Sequence, residues 1–492
     1  MIIFFTRTPE LGQTKTRLSP YLNDEEILSI SDRLIENQYQ EIKNTGSDYK
    51  IYFSGKIPDD IDKRYRIPQS GADLGEKMGN ALKSELKNRD KAVLLGSDLI
   101  GLDSKMIKFC LDKLNDYDVV LVPTYDGGYG LIGMRKYYDI FSDIAYSNSE
   151  VLNNTIKKIK FLGLSYYVTE KILDIDEYID LVRLEIGDNE LELLGQGEYN
   201  LNFLSKDRVI RVNLGSQMNL GSRQLKYEYD ALKFLEKSGV TPEPISYVED
   251  SFWLKKPYLI MKYYEGRPLD YKKDLKTAAK LLSTIHNLDI EGANLIMASK
   301  PFKAMHDEFI SMYSHYKDSC QKDEEIEKRI DELFRILETS NMDEEISNPS
   351  IINTELNNHN FIIGEKNIVI DWEKPIIGEA EQDLAHFLVP TTTYWKTDTI
   401  LTEEEMLDFL DEYEKYRPVD RRKFYKYLMY NSLRGVTWCS MAMVEYKKDR
   451  AIKNLDTEKK IKAYLSVDFL DMLKKLYKED LWKKKTEIDW YF

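Results

Sequence analysis

Short apolar runs alternate with stretches of helical periodicity over the first 185 or so residues, and this alternation is the feature that most constrains the fold. The runs lie at residues 2–6, 51–54, 92–96 and 119–123. Strands separated by helices predict a mostly parallel sheet with helices on both faces. Ligands of such sheets bind beyond the carboxyl ends of the strands, so chemistry is expected in the residues after each run.

A glycine and two cations follow the first run. Gly12, Lys15 and Arg17 are expected in a loop that opens the first helix. Glycine lets backbone N–H groups approach an anion, a helix N-terminus adds partial positive charge, and two cations neutralise a triphosphate. The loop therefore predicts binding of nucleotide phosphates, with a solvated basic turn as the alternative.

Acidic and glycine-rich residues follow the third and fourth runs. Asp98 could hold a divalent cation, or it could cap a helix or form a turn. Asp126, Gly127 and Gly128 are expected to line the nucleotide and acceptor pocket, although a plain hairpin turn would use the same residues.

Taken together, these segments resemble a bacterial family of nucleotide-sugar-transferase-like proteins related to small-molecule guanylyl- and cytidylyltransferases. The resemblance implies a GT-A-like fold over residues 1–186 that binds an NTP or a nucleotide sugar, with Mg²⁺ near Asp98 and Asp176 as a second candidate ligand. It is carried by the loop 12–18, DLGEKM at 73–78, GSD at 96–98, DGGY at 126–129, Tyr146-Ser147 with Val151 and Thr155, and DID at 174–176 with Asp180. Lys77 stands where the family usually has arginine, and Tyr146 where it usually has tryptophan.

The pattern changes near residue 190. Strands are predicted at 191–194, 202–204, 208–212 and 257–263, with a helix at 224–238, and helices dominate afterwards. A small β-rich lobe at 190–265 followed by a helical lobe at 266–492 is typical of a bilobal kinase-like α+β domain, which binds ATP between its lobes.

Kinase chemistry needs a loop over the phosphates, a strand cation and an acid that orients this cation. Arg211 is the candidate strand cation and Glu228 its helical partner. Each residue taken alone has an ordinary surface role as its alternative. The candidate loop contains Gly195, Gly197 and Asn200.

A stronger motif runs over residues 351–363 (IINTELNNHNFII), followed by IDWE at 370–373. It resembles the aminoglycoside and choline kinase-like phosphotransferase superfamily, whose catalytic loop reads HGDxxxxN and whose metal-binding strand reads IDWE. The resemblance implies ATP or GTP as phosphate donor, Asn360 and Asp371 as Mg²⁺ ligands, and Glu355 at the catalytic aspartate position.

Three residues depart from the catalytic-loop pattern: Asn353, Thr354 and Glu355. One extra methylene moves the carboxylate by about an ångström, which can cost on the order of 100-fold in rate. Two hypotheses follow. The domain is a phosphotransferase with Glu355 as general base, or it is a pseudokinase-type nucleotide-binding module.

Acidic and aromatic residues in the helical lobe suit a cationic or polyhydroxylated acceptor, or else belong to amphipathic helices with a solvated acidic face. They are Tyr394, Trp395, Asp411, Glu414 and Trp438.

Charge and composition limit the partners. The net charge of −15 argues against nucleic acid or an anionic membrane and leaves small metabolites as substrates. Three widely spaced cysteines, Cys110, Cys320 and Cys439, predict buried free thiols and, with no signal peptide or membrane span recognised, a cytoplasmic protein.

The two halves together predict a bifunctional transferase. The C-terminal half is expected to phosphorylate a small alcohol, amino alcohol or sugar. The N-terminal half is expected to transfer a nucleotidyl group to that phosphate, with Lys15 and Arg17 stabilising the triphosphate. Glycosyl transfer from a nucleotide sugar is the alternative for the N-terminal half.

Overall fold

The computed structural model describes residues 1–55, 65–197, 199–216, 218, 220–320, 322–446 and 455–476. The chain divides into two compact units. The first comprises Met1–Gln196, Leu201–Lys206 and Val248–Pro257, and the second comprises Gly197–Asn200, Asp207–Tyr247 and Tyr258–Phe492. The sequence-based boundaries at residues 186 and 190 stay predictions.

The first unit is built on a seven-stranded sheet. Its elements are β1 (Ile2–Arg7), α1 (Asp24–Asn44), β2 (Tyr49–Ser54), β3 (Arg66–Pro68), α2 (Leu74–Glu85), β4 (Ala92–Leu95), β5 (Leu99–Ile100), α3 (Ser104–Lys113), β6 (Val119–Pro123), β7 (Tyr129–Met134), α4 (Val151–Phe161), β8 (Tyr166–Val168), β9 (Leu173–Asp174), α5 (Tyr178–Ile186), β10 (Glu192–Gln196) and β11 (Asn200–Ser205).

The strand order in this sheet is β3-β2-β1-β4-β7-β6-β8. β1 runs parallel to β2 and β4, β2 to β3, and β6 to β8, whereas β7 runs antiparallel to both of its neighbours. The predicted mostly parallel α/β sheet is therefore confirmed, with β7 as its one reversed strand among those described.

Alternate residues of each strand point to opposite faces, and both faces are covered by helices. Ile2 and Phe4 belong to one buried cluster with residues of α1 and α3, while Ile3 belongs to another with residues of α2 and α4. This two-sided burial explains why β4 and β6 are continuous apolar runs.

A hairpin joins β6 to β7 through Asp126, Gly127 and Gly128. These residues therefore form a hairpin turn, and Asp126 and Gly128 also line one of the clefts described below. Gly127 has a φ of +91°, and a Cβ at this position would lie 2.1 Å from the carbonyl oxygen of Ser149. Only glycine fits this turn without rearrangement.

The second unit has few strands and many helices. Its elements are β12 (Arg208–Asn213), α6 (Gln224–Leu235), β13 (Pro244–Val248), β14 (Tyr258–Lys262), β15 (Arg267–Pro268), α7 (Leu275–His286), α8 (Pro301–Lys317), α9 (Glu324–Glu338), β16 (Pro349–Ile352), β17 (Phe361–Ile363), β18 (Ile368–Val369), β19 (Ile376–Glu379), α10 (Ala380–Leu388), α11 (Pro390–Thr397), α12 (Glu403–Glu414), α13 (Arg421–Tyr446), α14 (Leu455–Tyr464) and α15 (Val467–Leu476).

Two antiparallel pairings place the segments that matter for the site. β12 pairs with β14, so the strand of Arg211 is held along its length. β16 pairs with β19, and the loop after β16 carries Asn353, Thr354 and Glu355. The predicted kinase-like α+β architecture is confirmed for this half.

Two of the three cysteines are buried, as predicted, and all three are free thiols. The prediction is wrong for Cys320, which is exposed because it follows α8 in a surface turn. Within the described part of the chain, every helix is too short or too polar to span a lipid bilayer.

Candidate active sites of the two units

Two adjoining clefts of about 400 and 520 Å³ lie in the first unit, at the carboxyl ends of its strands. Asp98 and Asp174 line both clefts. Lys77 lines the first cleft, and Asp126 and Asp176 line the second. The strand ends, where the ligand site was predicted, thus hold two clefts that share the carboxylates of Asp98 and Asp174.

Lys15 forms an ion pair with Asp98, although Lys15 itself is not among the described residues that line the two clefts. Its Nζ donates to Asp98 Oδ2 at 2.7 Å and also to the carbonyl oxygen of Ile175. The Lys15 side chain is only 7% exposed. Arg17 similarly pairs with Asp176, but both of these side chains are about half exposed. The predicted phosphate-binding cations therefore contact the predicted metal ligands.

The predicted contribution of a helix N-terminus is wrong. The loop leads into a short 3-10 turn at Thr16–Leu18, and α1 begins only at Asp24. The Asn23 side chain caps α1, whose first turn is acidic, so its partial positive charge is already offset. Gly12 has a φ of +72° and is not among the described residues that line the two clefts.

Asp174, which lies in the same DID segment as Asp176, is a candidate ligand that the sequence pattern did not indicate. Its pKa is raised to about 7 by burial and by the negative charges of Asp98, Asp126 and Asp176, against the opposite pull of Lys15. Pairing of β9 with β5 brings it beside the Asp98 segment. The N-cap alternative for Asp98 is wrong, because Asp103 caps α3.

Asp98 and Asp174 suit Mg²⁺, which prefers oxygen ligands. A divalent cation bound here would offset the negative charges of the neighbouring carboxylates, which help to raise the pKa of Asp174. In the described ranges, no three His, Cys, Asp or Glu side chains already form a group that could hold a metal ion.

Arg211 and Glu228 meet in the second unit, as their candidate roles require. Arg211 Nη1 lies 2.5 Å from Glu228 Oε1, and both side chains are buried. The same nitrogen is 3.3 Å from Asp371 Oδ1 and 3.5 Å from Glu373 Oε1. Arg211 therefore links Glu228 of α6 to the IDWE segment.

The two candidate Mg²⁺ ligands of this unit are also neighbours. Asn360 Nδ2 lies 3.5 Å from Asp371 Oδ2, and the Asp371 side chain is 44% exposed. Their amide and carboxylate oxygens are ligands that fit Mg²⁺.

The candidate phosphate loop is only partly described, since Glu198 lies outside the described residues. Gly195 lies in β10, and Gly197 N donates to the carbonyl oxygen of Asn200 at 2.9 Å. The Asn200 side chain donates to Glu373 Oε1, so the end of this loop contacts the IDWE segment.

The catalytic-like loop is held by a buried carboxylate. Asp383 is fully buried and accepts hydrogen bonds from the backbone N–H groups of Asn353 and Thr354, each at 2.7 Å. The Asn353 side chain donates to the carbonyl oxygen of Asp371 at 2.8 Å. Thr354 has a φ of +73°, a conformation that a β-branched residue adopts only under strain.

Glu355 has two cationic partners that sequence reasoning did not identify. Its Oε1 accepts from Lys374 Nζ at 2.9 Å and from Arg434 Nη2 at 3.2 Å. Burial tends to raise the pKa of Glu355, but Arg434 and Lys374 outweigh it and the pKa lies below the usual 4.5. The side chain is therefore an ionised carboxylate at neutral pH.

Glu355 belongs to the wall of a cavity of about 430 Å³, which we call the acceptor cavity. Trp395 and Trp438, two of the aromatic candidates for an acceptor site, also line it. Asp411 and Glu414 do not, because both pair with Arg421 instead. Tyr394 stacks on Tyr464 beside it. The lining residues are Glu308, Met312, Glu355, Asn357, Lys374, His386, Thr391, Thr392, Trp395, Lys396, Asn431, Arg434, Gly435, Trp438, Cys439 and Tyr464.

His386 lines the acceptor cavity as a neutral ring. Burial, followed by the charge of Arg434, lowers its pKa from 6.5 to about 4. As the pH falls, the unfolded chain takes up a proton before the folded chain does. The neutral His386 ring therefore makes its full contribution to the stability of the fold above pH 6.5. This contribution is lost as the pH falls through about 4.

Acidification from pH 6.5 to about 4 should lower the free energy of unfolding of the wild type. We predict that this decrease is smaller by about 3 kcal/mol in His386→Gln. Urea denaturation at several pH values measures this. His315→Gln, at an exposed histidine of α8, is the matched control and should leave the pH dependence unchanged. An unchanged pH dependence in the His386 variant would contradict the prediction.

Two family models match the chain. Residues 44–148 match a family described as uncharacterized proteins conserved in bacteria, DUF2064. Residues 190–425 match the APH family, described as a phosphotransferase enzyme family. Both resemblances predicted from the sequence are confirmed, and so is the prediction of a transferase. A search of curated proteins finds no match.

Solved structures are similar to each half. A candidate nucleotide-diphospho-sugar transferase from Desulfovibrio desulfuricans is 27% identical, covers 38% of this chain and 87% of its own, and has a TM-score of 0.36. A candidate aminoglycoside phosphotransferase from Ralstonia eutropha is 14% identical, with coverages of 59% and 92% and a TM-score of 0.46.

A choline/ethanolamine kinase family protein from Mesorhizobium loti is 16% identical, with coverages of 61% and 99% and a TM-score of 0.43.

Proposed function

We propose that the chain is a bifunctional transferase, on the ground that residues 190–425 match the model of a phosphotransferase enzyme family. The second unit transfers the γ-phosphoryl group of ATP or GTP to a hydroxyl of a small alcohol, amino alcohol or sugar. The first unit transfers a nucleotidyl group from an NTP to the phosphate so formed. Fusion then links two successive steps on one metabolite.

The phosphorylation step uses the loop that follows β16. The acceptor hydroxyl oxygen bonds to the γ-phosphorus, the bond from that phosphorus to the departing nucleoside diphosphate breaks, and the hydroxyl proton passes to Glu355. Arg211, oriented by Glu228, neutralises donor phosphates. The observation that carries this proposal is that Glu355 lines a cavity large enough for a small acceptor.

Asn360 and Asp371 would hold Mg²⁺ in this unit. When bound, the ion supplies charge neutralisation at the transferred phosphoryl group. The ionised state of Glu355 suits a group that orients the acceptor hydroxyl and accepts its proton.

The nucleotidyl step suits a site with two clefts. One cleft takes the NTP and the other takes the phosphorylated acceptor, whose phosphate oxygen bonds to the α-phosphorus while pyrophosphate leaves. Lys15 and Arg17 exchange their carboxylate partners for phosphate oxygens. Asp98 and Asp174, which line both clefts, would hold Mg²⁺ there.

Glycosyl transfer from a nucleotide sugar would use the same two clefts, but a diphosphate donor needs less positive charge than Lys15 and Arg17 supply. Phosphorus NMR separates the reactions. The full chain is incubated with Mg²⁺, mixed NTPs and a pool of alcohols, amino alcohols and sugars, with and without their phosphates.

Growth of pyrophosphate and a new diphosphodiester supports the proposal. Unchanged NTPs, together with consumption of nucleotide sugars in a parallel tube, would replace it with glycosyl transfer. If nucleotidyl transfer occurs only when the phosphorylated acceptor is added, the second unit does not phosphorylate it. The departures from the catalytic-loop motif at Asn353, Thr354 and Glu355 would then mark this unit as a nucleotide-binding module.

We predict that Asp98→Asn lowers pyrophosphate formation by about 100-fold or more, because transition-state charge in the first unit loses its stabilising group. Conversion of ATP to ADP by the second unit should persist. Asp112→Asn, an exposed position of α3 outside both clefts, is the matched control. Equal activities in the two variants would argue against the role of Asp98.

A further inference from the structure

The acceptor cavity carries more positive than negative charge. Lys374, Lys396 and Arg434 supply three cations, and Glu308 and Glu355 supply two carboxylates. His386, which also lines the cavity, adds no charge at neutral pH because its pKa is lowered to about 4. A net positive lining is unexpected in a chain whose net charge is −15.

The two carboxylates of the cavity are already neutralised by protein cations. Arg434 lies 3.2 Å from Glu355 and 3.7 Å from Glu308, and Lys374 lies 2.9 Å from Glu355. A cationic acceptor would therefore compete with Arg434 and Lys374 for the same oxygens. It would also be repelled by both of them.

Among the cations that line the acceptor cavity, Lys396 has no carboxylate partner in the part of the chain that the structure describes. Within the described ranges, no carboxylate forms an ion pair with Lys396, which lies exposed at the end of α11. An acceptor with a negative group would gain a charge-assisted hydrogen bond from this ammonium group without breaking an existing ion pair.

Aromatic side chains form the wall beside Lys396. The rings of Trp395 and Trp438 meet edge to face with centroids 5.4 Å apart, and Trp395 makes a similar contact with Tyr464. Such a surface packs against the C–H face of a sugar or polyol. Aromatic rings also attract cations, but here the neighbouring Lys396 and Arg434 oppose that attraction.

We propose that the acceptor is a sugar or polyol that carries a carboxylate. The carboxylate is bound by Lys396, the carbon skeleton packs on Trp395 and Trp438, and the reacting hydroxyl lies at Glu355. This inference rests on the proposed phosphotransferase function and narrows its acceptor from alcohols in general to anionic ones.

Binding calorimetry on the full chain tests the inference independently of turnover. The probes are two sets in which the amine and the acid each differ from the neutral sugar at one carbon: glucose, glucosamine and glucuronate, then galactose, galactosamine and galacturonate. Gluconate and small hydroxy acids extend the panel. At least one acid should bind about tenfold more tightly than its neutral counterpart, and the amines should bind most weakly.

Lys396→Glu should abolish the preference for the acid by lowering its affinity about tenfold, with little change for the neutral sugar. Lys280→Glu makes the same charge change at an exposed position of α7 that does not line the cavity, and it should bind like the wild type. ATP binding, titrated separately, should be unchanged in both variants.

Failure of the inference and failure of the proposed function give different results. Selective binding of the acid without phosphorylation would support the cavity assignment and count against the phosphotransferase activity. Phosphorylation with a preference for neutral or amino sugars would do the reverse. Absence of millimolar binding by every acid, or an unaltered preference in Lys396→Glu, overturns the inference.

Discussion

Glu355→Gln should lower the turnover number for phosphoryl transfer by about 100- to 10,000-fold, with little change in the ATP dissociation constant. Glutamine keeps the size of the side chain but removes the negative charge that receives the hydroxyl proton. Rapid-quench or coupled-enzyme kinetics gives the turnover number, and nucleotide titration gives the dissociation constant.

The ion pairs of Glu355 make the pH dependence informative. Arg434 and Lys374 hold the pKa of Glu355 below 4.5, so deprotonation of this side chain should not limit activity above that pH. Because both cations contact Oε1, replacing either one should raise the pKa of Glu355 and move the acid limb of the rate profile upward.

Glu308→Gln is a matched control, because Glu308 lines the same cavity and is 49% exposed against 43% for Glu355. Among the described residues its one ion pair is with Arg434, so we expect less than about a tenfold change in turnover. Glu355→Asp completes the series. Activity that appears only in this variant would identify the native domain as a nucleotide-binding module, whereas equal turnover of wild type and Glu355→Gln would exclude Glu355 as the base.

Short-range patterns predicted much of the fold. The strand at 119–123 has the predicted bounds, because five consecutive buried residues between polar segments leave little choice. The helix predicted at 224–238 is α6 followed by a 3-10 turn at Glu236–Ser238. Reversal of β7 was not predicted, since a hairpin and a substrate-binding turn both use Asp-Gly-Gly.

Long-range ion pairs could not be read from spacing. Lys15 and Asp98 are 83 residues apart, and Glu355 and Arg434 are 79 apart. Motif position made Glu355, Asn360 and Asp371 candidates, because all three lie within one short segment of the chain. Nothing local indicated that Arg434, on α13, would neutralise Glu355 and change the charge of the acceptor cavity.

Asp383→Asn should lower the free energy of unfolding of the second unit by about 3 kcal/mol and should abolish phosphoryl transfer. Asp383 uses one oxygen for each of two backbone N–H groups, from Asn353 and Thr354. An asparagine side chain has only one oxygen, so its own NH₂ group would face one of these donors in a fully buried site.

The strain at Thr354 provides a second variant that separates this cause from a general loss of packing. Its φ of +73° is maintained by the hydrogen bond to Asp383. Thr354→Gly should therefore stabilise the chain by about 1 kcal/mol and recover a similar part of the loss in an Asp383→Asn background. Urea denaturation of the wild type, the two single variants and the double variant measures both effects.

An Asp383→Asn protein that unfolds at the wild-type urea concentration would show that this carboxylate does not hold the loop. A loss that Thr354→Gly leaves entirely uncorrected would instead place the cost at His286, whose Nε2 lies 3.4 Å from Asp383 Oδ2.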